Sequence, residues 1–290
     1  MLKKTLVTGK DGQLGQSLSA LKEKYPFLDM TFVGRNELDL SSATSINKYF
    51  KERAFDVIIN CAAYTAVDKA ESETGQANKI NHLAVKQLAE IAKQQECVLI
   101  HISTDYVFNG QNYKPYIETD ESDPQSVYGD TKLKGELAIK AINPRGCIIR
   151  TSWVYSEFGN NFVKTMQRLG SERNLLNVIF DQIGTPTYAG DLANAILKIV
   201  SSDTPDVENE TYHFSNEGVC SWYDFAKAIF EESDVECAVN PIETKDYPTP
   251  AVRPHYSLMN KSKIKADFDL TIPYWKESLK LCIQRLQEAV

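Results

Sequence analysis

Three evenly spaced glycines follow the first apolar run of the chain and constrain its fold more than any other feature. Gly9, Gly12 and Gly15 lie between the apolar run Thr5–Thr8 and an amphipathic segment. Glycines at a strand-to-helix turn let backbone amides approach a pyrophosphate at the helix N-terminus. The spacing is G-x-x-G-x-x-G instead of the usual G-x-G-x-x-G, so a simple glycine-rich corner is the alternative to a nucleotide site.

Short apolar runs alternate with amphipathic stretches through residues 1–151, which is typical of βαβ units around a parallel sheet. The predicted strands are Thr5–Thr8, Met30–Val33, Val57–Asn60, Val98–Ile102 and Cys147–Arg150. The predicted helices are Gly12–Tyr25, Ser42–Arg53, Gln76–Gln95 and Val127–Ile142. The pattern predicts an α/β fold with a doubly wound, Rossmann-like parallel sheet that binds a dinucleotide.

Residues 152–290 are less regular and predict a smaller α+β portion that binds the substrate. We expect one strand at Leu176–Phe180, with residues 176–182 returning to the main sheet. Further predictions are helices at Ala189–Val200, Ser221–Glu232 and Tyr274–Ala289, and loops at Ser202–Glu210 and Thr244–Pro254. Open α/β sheets bind ligands at the carboxyl ends of their strands, so this portion should lie over that edge.

Composition excludes several classes of function. The net charge of −7 argues against nucleic-acid binding, which depends on clustered Lys and Arg. No apolar segment approaches the roughly 20 residues of a membrane span, and glycine interrupts the first apolar run too early for a signal peptide. Six scattered cysteines without a Cys-x-x-Cys pair argue against a zinc site or a disulfide framework. We therefore expect a cytoplasmic protein without a structural metal.

The segment after the second strand bears on the choice of cofactor. An acidic residue there would bind the ribose 2′-hydroxyl of NAD, whereas an arginine accommodates the 2′-phosphate of NADP. Arg35 therefore favours NADPH, although a solvated surface arginine is an equal alternative and NADH use stays open. Asp39 either meets the adenine edge or caps the next helix. Small residues after the third strand, Ala62 and Ala63, would let the cofactor lie against the backbone.

The strongest signal for chemistry pairs Ser103-Thr104-Asp105 at a strand end with Tyr128 and Lys132 on the next helix. Four-residue spacing places Tyr128 and Lys132 on one helical face. A nearby ammonium favours the tyrosinate, so we expect Lys132 to lower the pKa of Tyr128 and make it a proton donor near neutral pH. Tyr-x-x-x-Lys alone is common on solvated helices, but its order after the glycine turn and the strand-end Ser-Thr-Asp makes it specific.

These motifs identify a resemblance to the extended short-chain dehydrogenase/reductase family, over essentially the whole chain. Within that family the chain resembles members that reduce a dTDP-linked 4-keto sugar. The later motifs that carry this closer resemblance are Ala66–Glu71, Ser103–Phe108, Val127–Gly129, Thr151–Tyr155, Gly159–Phe162, Asp181-Gln182 with Gly184, Pro186 and Thr187, and Tyr247–Pro250 with Arg253-Pro254.

The resemblance implies NADPH-dependent reduction of dTDP-4-dehydro-β-L-rhamnose to dTDP-L-rhamnose, a precursor of surface polysaccharide such as O-antigen. It implies that Tyr128 protonates the C4 oxygen, that Lys132 binds the nicotinamide ribose, and that Thr104 polarises the carbonyl. Together with the residues above, it assigns the cofactor to Gly9, Gly12, Gln13, Leu14, Gly15, Arg35, Asp39, Leu40, Ala62, Ala63, Tyr64, Thr65, Tyr128 and Lys132.

The resemblance also implies substrate contacts. Thr104, Asp105 and Trp153 would meet the deoxysugar, and Asn161, Gln182 and Arg253 the dTDP portion. The alternatives are structural: a core aromatic for Trp153, a turn former for Asn161 and a surface ion pair for Arg253.

Two positions separate this chain from related patterns. Sugar-nucleotide dehydratases of the family have a catalytic Glu after Thr-Asp, whereas this chain has Tyr106, which disfavours dehydration. Some reductases have a carboxylate that joins a magnesium site at a dimer interface, whereas this chain has Ser17, which leaves magnesium uncertain and allows a monomer or a weak homodimer. A reductase of another 4-keto sugar nucleotide and a non-catalytic, NADP-binding regulatory subunit are the rival functions.

Overall fold

The computed structural model describes residues 2–202 and 209–288 of the chain. Its strands, numbered in chain order, are β1 (Lys3–Thr8), β2 (Leu28–Val33), β3 (Val57–Asn60), β4 (Val98–Thr104), β5 (Gly146–Thr151), β6 (Val154–Tyr155), β7 (Leu175–Ile179), β8 (Ile183–Gly184), β9 (Thr187–Tyr188), β10 (Glu210–Phe214), β11 (Cys220–Ser221) and β12 (Ala238–Ile242).

The α-helices are α1 (Gln13–Ala20), α2 (Ala43–Phe50), α3 (Val67–Ala70), α4 (Thr74–Asn78), α5 (Ala84–Gln94), α6 (Val127–Ile142), α7 (Phe162–Glu172), α8 (Ala189–Ser201), α9 (Trp222–Glu232), α10 (Ser262–Phe268) and α11 (Trp275–Glu288). Three short 3₁₀ turns lie at Lys22–Lys24, Asp105–Val107 and Thr244–Asp246.

Six parallel strands form the main sheet, in the order β10-β5-β4-β3-β1-β2. The predicted doubly wound fold is confirmed. The chain leaves β1 toward β2 on one side and continues from β3 on the other, so the strand order reverses between β1 and β3. Open α/β sheets bind ligands at such a reversal, outside the carboxyl ends of the strands.

Helices cover both faces of this sheet. One apolar cluster packs α1, α8 and α10 against one face, and a second packs α2, α5 and α6 against the other. All residues of β3 and β5 are buried, as expected for central strands of a sheet covered on both sides. This rigid, two-sided packing fixes the strand ends that form the site.

The prediction that residues 176–182 return to the main sheet is wrong. The strand is present as β7, but it pairs in parallel with β12 in a separate two-stranded sheet. Its alternating exposed and buried positions suit a sheet buried on one face only. The sixth strand of the main sheet is β10, which lies beside β5 and is buried along almost its whole length.

Helix α6 occupies the predicted range, and its ends are set by local hydrogen bonds and backbone conformation. The Ser126 side chain accepts from the Gly129 amide at the N-terminus, and Asn143 adopts a left-handed conformation (φ 54°) at the C-terminus. The predicted helix at 76–95 is instead divided by a π-helical turn at Lys79–Leu83. There the Asn81 side chain bonds the Tyr64 backbone at both its N–H and its C=O.

The second half packs around a third apolar cluster, formed mainly by α7, α9, α11 and the short strands. Of the predicted loop at 202–210, residues 203–208 lie outside the described part of the chain, as does Ala289 of the predicted last helix. All six cysteines are free thiols. Within residues 2–202 and 209–288, the helices are too short or too polar to cross a membrane.

Candidate active site

The glycine turn forms a close-packed cradle between β1 and α1. Gly9 has a left-handed backbone (φ +73°), which favours glycine. A Cβ atom on Gly15 would lie 2.2 Å from the Gly9 carbonyl oxygen, so only glycine fits there. Gly12 is the N-cap of α1 and supplies no side-chain cap, and it lines the cleft together with the first residues of the helix. Such a cradle fits a dinucleotide pyrophosphate.

A cleft of about 670 Å³ opens above this turn, at the strand-order reversal. All fourteen residues predicted to hold the cofactor line it: Gly9, Gly12, Gln13, Leu14, Gly15, Arg35, Asp39, Leu40, Ala62, Ala63, Tyr64, Thr65, Tyr128 and Lys132. The cleft therefore joins the carboxyl ends of β1, β2 and β3 to the start of α6. Its size and its mixture of backbone and small side chains suit an extended nucleotide.

Arg35 lies at the outer rim of this cleft. Its side chain is 76% exposed, and its Nε lies 3.8 Å from Asp39 Oδ1. Asp39 accepts hydrogen bonds from the amide and hydroxyl of Ser41, which hold the pKa of its carboxyl below the usual range. Ser42, not Asp39, caps α2. Arg35 is thus an exposed guanidinium just beyond β2, held, among the described residues, only by a long contact with Asp39.

Tyr128 and Lys132 lie on one face of α6 and both face the cleft, as their spacing predicts. Lys132 is almost fully buried, and its Nζ donates to the Ile102 carbonyl at 2.6 Å. Burial lowers the pKa of Lys132 to about 8, and the negative field of Glu136, one turn further along α6, opposes that fall. The hydrogen bond to the Ile102 carbonyl thus fixes the position of the ammonium.

The expectation that Lys132 lowers the pKa of Tyr128 is wrong for the protein without ligands. Burial raises the pKa of Tyr128 to about 12, a hydrogen bond with Thr104 lowers it, and the Asp105 charge raises it further. Desolvation of the tyrosinate outweighs the other effects because most of the residue is covered by protein. The phenol therefore keeps its proton at neutral pH, as a proton donor must.

Thr104 and Asp105 lie beside Tyr128 and form a connected buried group. The Thr104 hydroxyl donates to Asp105 Oδ1 at 2.9 Å and accepts from the Tyr106 amide. Burial raises the pKa of Asp105 to about 6, and the neighbouring hydroxyls of Thr104 and Ser257 oppose that rise. Asp105 Oδ2 and Ser257 Oγ are both buried without a hydrogen bond of good geometry. To donate to a substrate oxygen, the Thr104 hydroxyl must turn away from Asp105. An unpartnered buried carboxylate oxygen at this point suits a hydroxyl donor from a sugar.

Trp153 has a strained backbone and a tightly fixed ring. Its φ is 49°, which is unusual for a bulky residue. The indole stacks on Trp222 with ring centroids 3.8 Å apart, and a Cβ on Gly184 would lie 3.0 Å from it. Strain held in place by packing is frequent at functional sites.

The structure places Asn161 and Gln182 in internal hydrogen bonds. Asn161 caps α7 by accepting from the Lys164 amide, and its amide donates to Gln13 Oε1 at 3.0 Å. Gln182 is buried and donates to Thr244 Oγ1 at 3.2 Å. Asn161 thus ties the second half of the molecule to the glycine turn.

Arg253 forms a two-point ion pair with Asp68, at 2.8 and 3.0 Å. The guanidinium holds the pKa of the Asp68 carboxyl below its usual range. The pair joins the loop before α10 to α3 in the first half. The ion-pair alternative for Arg253 is therefore realised in the protein without ligands.

Sequence reasoning missed two groups of buried polar residues at the site. One crosses the sheet through Thr8, Asn60 and His101. The other connects Ser103, Glu136 and Arg150, where Arg150 contacts both carboxylate oxygens of Glu136. The sequence signal that could have indicated these groups is a single polar residue in an otherwise apolar strand, as in Val57-Ile58-Ile59-Asn60.

The described residues contain no group of three or more His, Cys, Asp or Glu side chains arranged to hold a metal ion. Ser17 is buried, and its hydroxyl donates to the Gln13 carbonyl within α1.

The described geometry agrees with comparisons to known proteins. Residues 3–288 match the family model of the RmlD substrate binding domain. The chain belongs to this family. The dTDP-4-dehydrorhamnose reductase of Aggregatibacter actinomycetemcomitans is 42% identical over 288 residues, which cover 95% of this chain and 96% of that protein.

Two solved structures extend the family match to three dimensions. A dTDP-4-dehydrorhamnose reductase from Clostridium acetobutylicum has 43% identity and a TM-score of 0.92, with 98% of this chain and 99% of that chain covered. The Bacillus anthracis reductase, solved in complex with NADP, has 37% identity and a TM-score of 0.93, with coverage of 98% and 100%. RmlD-family membership thus spans both halves of the molecule, including the second half, which a shared Rossmann-like sheet alone does not explain.

Proposed function

We propose that this chain reduces dTDP-4-dehydro-β-L-rhamnose to dTDP-L-rhamnose with NADPH. The observation that carries the proposal is the placement of Tyr128 and Lys132 in the cofactor cleft, with Thr104 beside the phenol, in a chain of the RmlD family. The reductase names of the relatives and the NADP complex of one of them support both substrate and cofactor.

NADPH, when bound, supplies a hydride to C4 of the keto sugar. The glycine turn would hold its pyrophosphate, and Lys132 would hold its nicotinamide ribose. The developing negative charge on the C4 oxygen needs a proton. Tyr128 donates it from a phenol that the surrounding protein keeps protonated. Thr104 stabilises the same oxygen by a hydrogen bond once its hydroxyl turns from Asp105.

The Lys132 ammonium stabilises the tyrosinate that remains after proton transfer. Opposite charges in a low-dielectric cleft attract strongly, so the cost of leaving Tyr128 ionised falls when Lys132 is charged. Because the pKa of Lys132 is about 8, we expect the reduction rate to fall as the pH rises through that value.

Contacts to the sugar nucleotide come from the second half and from the end of β4. Asp105 and Trp153 would meet the deoxysugar, and Asn161, Gln182 and Arg253 the dTDP portion. The reaction would take place in the cytoplasm, and its product would serve the synthesis of surface polysaccharide. The mechanism requires no magnesium, because Tyr128 and Thr104 stabilise the oxygen that becomes negative.

A spectrophotometric assay tests this function. The absorbance of NADPH is followed while purified protein is mixed with dTDP-4-dehydro-L-rhamnose, with NADH and a GDP-linked 4-keto sugar in parallel. Rapid oxidation with the dTDP sugar alone supports the proposal. Faster oxidation with another keto sugar would reassign the substrate. No oxidation by protein that binds NADPH would favour a regulatory subunit, and copurification of a stoichiometric partner would strengthen that conclusion.

A further inference from the structure

A row of buried polar side chains crosses the sheet directly behind Lys132. Thr8, Asn60 and His101 are register neighbours at adjacent positions on β1, β3 and β4. Thr8 Oγ1 lies 2.7 Å from Asn60 Oδ1, and Asn60 Nδ2 lies 3.0 Å from His101 Nδ1. His101 Nε2 lies 3.4 Å from Lys132 Nζ. We refer to Thr8, Asn60 and His101 as the polar row.

The row is buried in the interior of the main sheet. Each of its three side chains is at most 1% exposed. Burying polar groups costs free energy unless they are hydrogen-bonded, and these groups bond one another from Thr8 to Lys132. The row begins at Thr8, which lines the cofactor cleft, and its other end, His101, contacts Lys132, which lines the cleft too. Both ends therefore reach the same cleft through the interior of the sheet.

The donor count of the ammonium gives the row a role. A protonated lysine has three N–H donors. One is directed to the Ile102 carbonyl at 2.6 Å, and a second faces His101 Nε2. One donor is left for the cleft. We infer that His101 is a positioning residue whose Nε2 accepts from the Lys132 ammonium and aims the remaining N–H toward the cofactor, while Asn60 and Thr8 hold the imidazole in place.

His101 can serve as this acceptor because it stays neutral. Burial lowers its pKa well below 6.5, and the Lys132 charge lowers it further. Among the described residues, the charges that act on Lys132 come from Glu136, on α6 itself, and Cys61, from the loop after β3. Tyr128 lines the same cleft as Lys132. A neutral imidazole has one donor and one acceptor nitrogen, so the protonation state of Lys132 selects the tautomer.

Two hydrogen-bond patterns can connect the row to Lys132, and the Asn60 orientation in the structure is that of the second. With Lys132 charged, Nε2 accepts, the proton is on Nδ1, and the Asn60 amide is reversed from its orientation in the structure. Its oxygen then faces His101, and its nitrogen donates to Thr8 Oγ1, which also accepts from the Ala62 amide at 3.2 Å. With Lys132 neutral, Thr8 donates to Asn60 Oδ1, Asn60 Nδ2 donates to Nδ1, and Nε2–H donates to the amine. Gain or loss of one proton on Lys132 thus reverses the whole row.

Histidine ¹⁵N NMR on the full-length protein tests the tautomer directly and does not depend on reductase activity. The chain has four histidines, and loss of one ring signal in His101→Gln assigns His101. We expect the proton on Nδ1 at pH 6.5 and its transfer to Nε2 as the pH rises past about 8. In Lys132→Met the tautomer should not change over that range. A proton on Nε2 at pH 6.5 in the wild type would overturn the inference.

The kinetic arm rests on the proposed function. His101→Leu removes the acceptor, so the charged form of Lys132 is less favoured and its pKa falls. We expect the alkaline limb of the profile of kcat against pH to shift to lower pH by about one unit. His101→Gln offers an amide oxygen near the Nε2 position and should restore the limb. If the alkaline limb lies at the same pH in His101→Leu and in the wild type, His101 has no positioning role. Inactivity of the wild type, with the expected NMR behaviour, contradicts only the proposed function.

Discussion

The cofactor end and the substrate end of the cleft are built in different ways. The cofactor end consists of backbone and small side chains at the ends of β1, β2 and β3, and its close approach depends on glycine. The residues proposed to hold the sugar nucleotide are not among those that line the cleft, and they are larger side chains that already have protein partners. Trp153 stacks on Trp222, and Arg253 pairs with Asp68. On the proposed roles, binding at the first end would require little rearrangement, whereas binding at the second would exchange protein contacts for ligand contacts.

This difference separates the expected effects of mutations. Changes at the cofactor end act by filling space, and they should weaken NADPH binding itself. Changes at the substrate end act by removing a partner, and they should raise KM for the sugar while NADPH binding is retained. Tyr128 lies where the two ends meet, so its hydroxyl should affect turnover alone.

The largest effect is expected for Tyr128→Phe. General acid catalysis contributes about 10²–10⁴-fold, so kcat should fall by that factor while the dissociation constant for NADPH stays close to that of the wild type. Stopped-flow absorbance and NADPH fluorescence titration measure the two quantities. Tyr106→Phe is the matched control, since its ring lies 5.4 Å from that of Tyr128 and it should keep most of its turnover. Near wild-type turnover in Tyr128→Phe would exclude it as the proton donor.

Gly15→Ala should specifically damage the cofactor end. The added Cβ would lie 2.2 Å from the Gly9 carbonyl oxygen, which is backbone and cannot move aside cheaply. Overpacking of this kind costs about 1–3 kcal/mol, so NADPH affinity should fall by about 5- to 150-fold if the strain is relieved by opening the turn. Gly75→Ala has no neighbour within 4 Å and serves as the control. Unchanged affinity in Gly15→Ala, in protein with a native circular dichroism spectrum, would show that the turn does not hold the cofactor.

Arg253→Ala tests the substrate end. A hydrogen bond to a charged group contributes about 1.5–3 kcal/mol, so direct contact with the diphosphate predicts a KM for the sugar nucleotide raised by about 10- to 100-fold, with NADPH binding unchanged.

Two further variants control for the ion pair. Asp68→Asn weakens the contact that holds the Arg253 side chain, and it should change KM by much less than Arg253→Ala does. Arg168→Ala removes an exposed arginine paired within α7 and should have no effect. A similar rise in KM for Asp68→Asn and Arg253→Ala would mean that the pair only fastens the loop to α3.

The two ends also differ in how far sequence predicts them. Glycine spacing and apolar runs predicted the cofactor end, because the geometry there follows from local backbone requirements. Strand β10 was not predicted because it contains polar residues, Thr211 and His213, which are not typical of a buried strand. The structure nevertheless buries both of them, as a strand of the main sheet requires. The Trp153–Trp222 stack and the Arg253–Asp68 pair join segments that are distant in sequence, so no local pattern shows them. The polar row likewise depends on the register between strands, which the amino-acid sequence alone does not show.

The smallest effect is expected for Arg35→Ala, at the edge of the cofactor end. The side chain is 76% exposed, so its contact with a 2′-phosphate is screened by solvent. Exposed ion pairs contribute up to about 1 kcal/mol, which corresponds to a rise of up to about fivefold in KM for NADPH. NADH lacks the 2′-phosphate and provides the control within the same variant, because its KM should not change. An equal rise for both cofactors would mean that Arg35 supports the loop after β2, through Asp39, and does not read the phosphate.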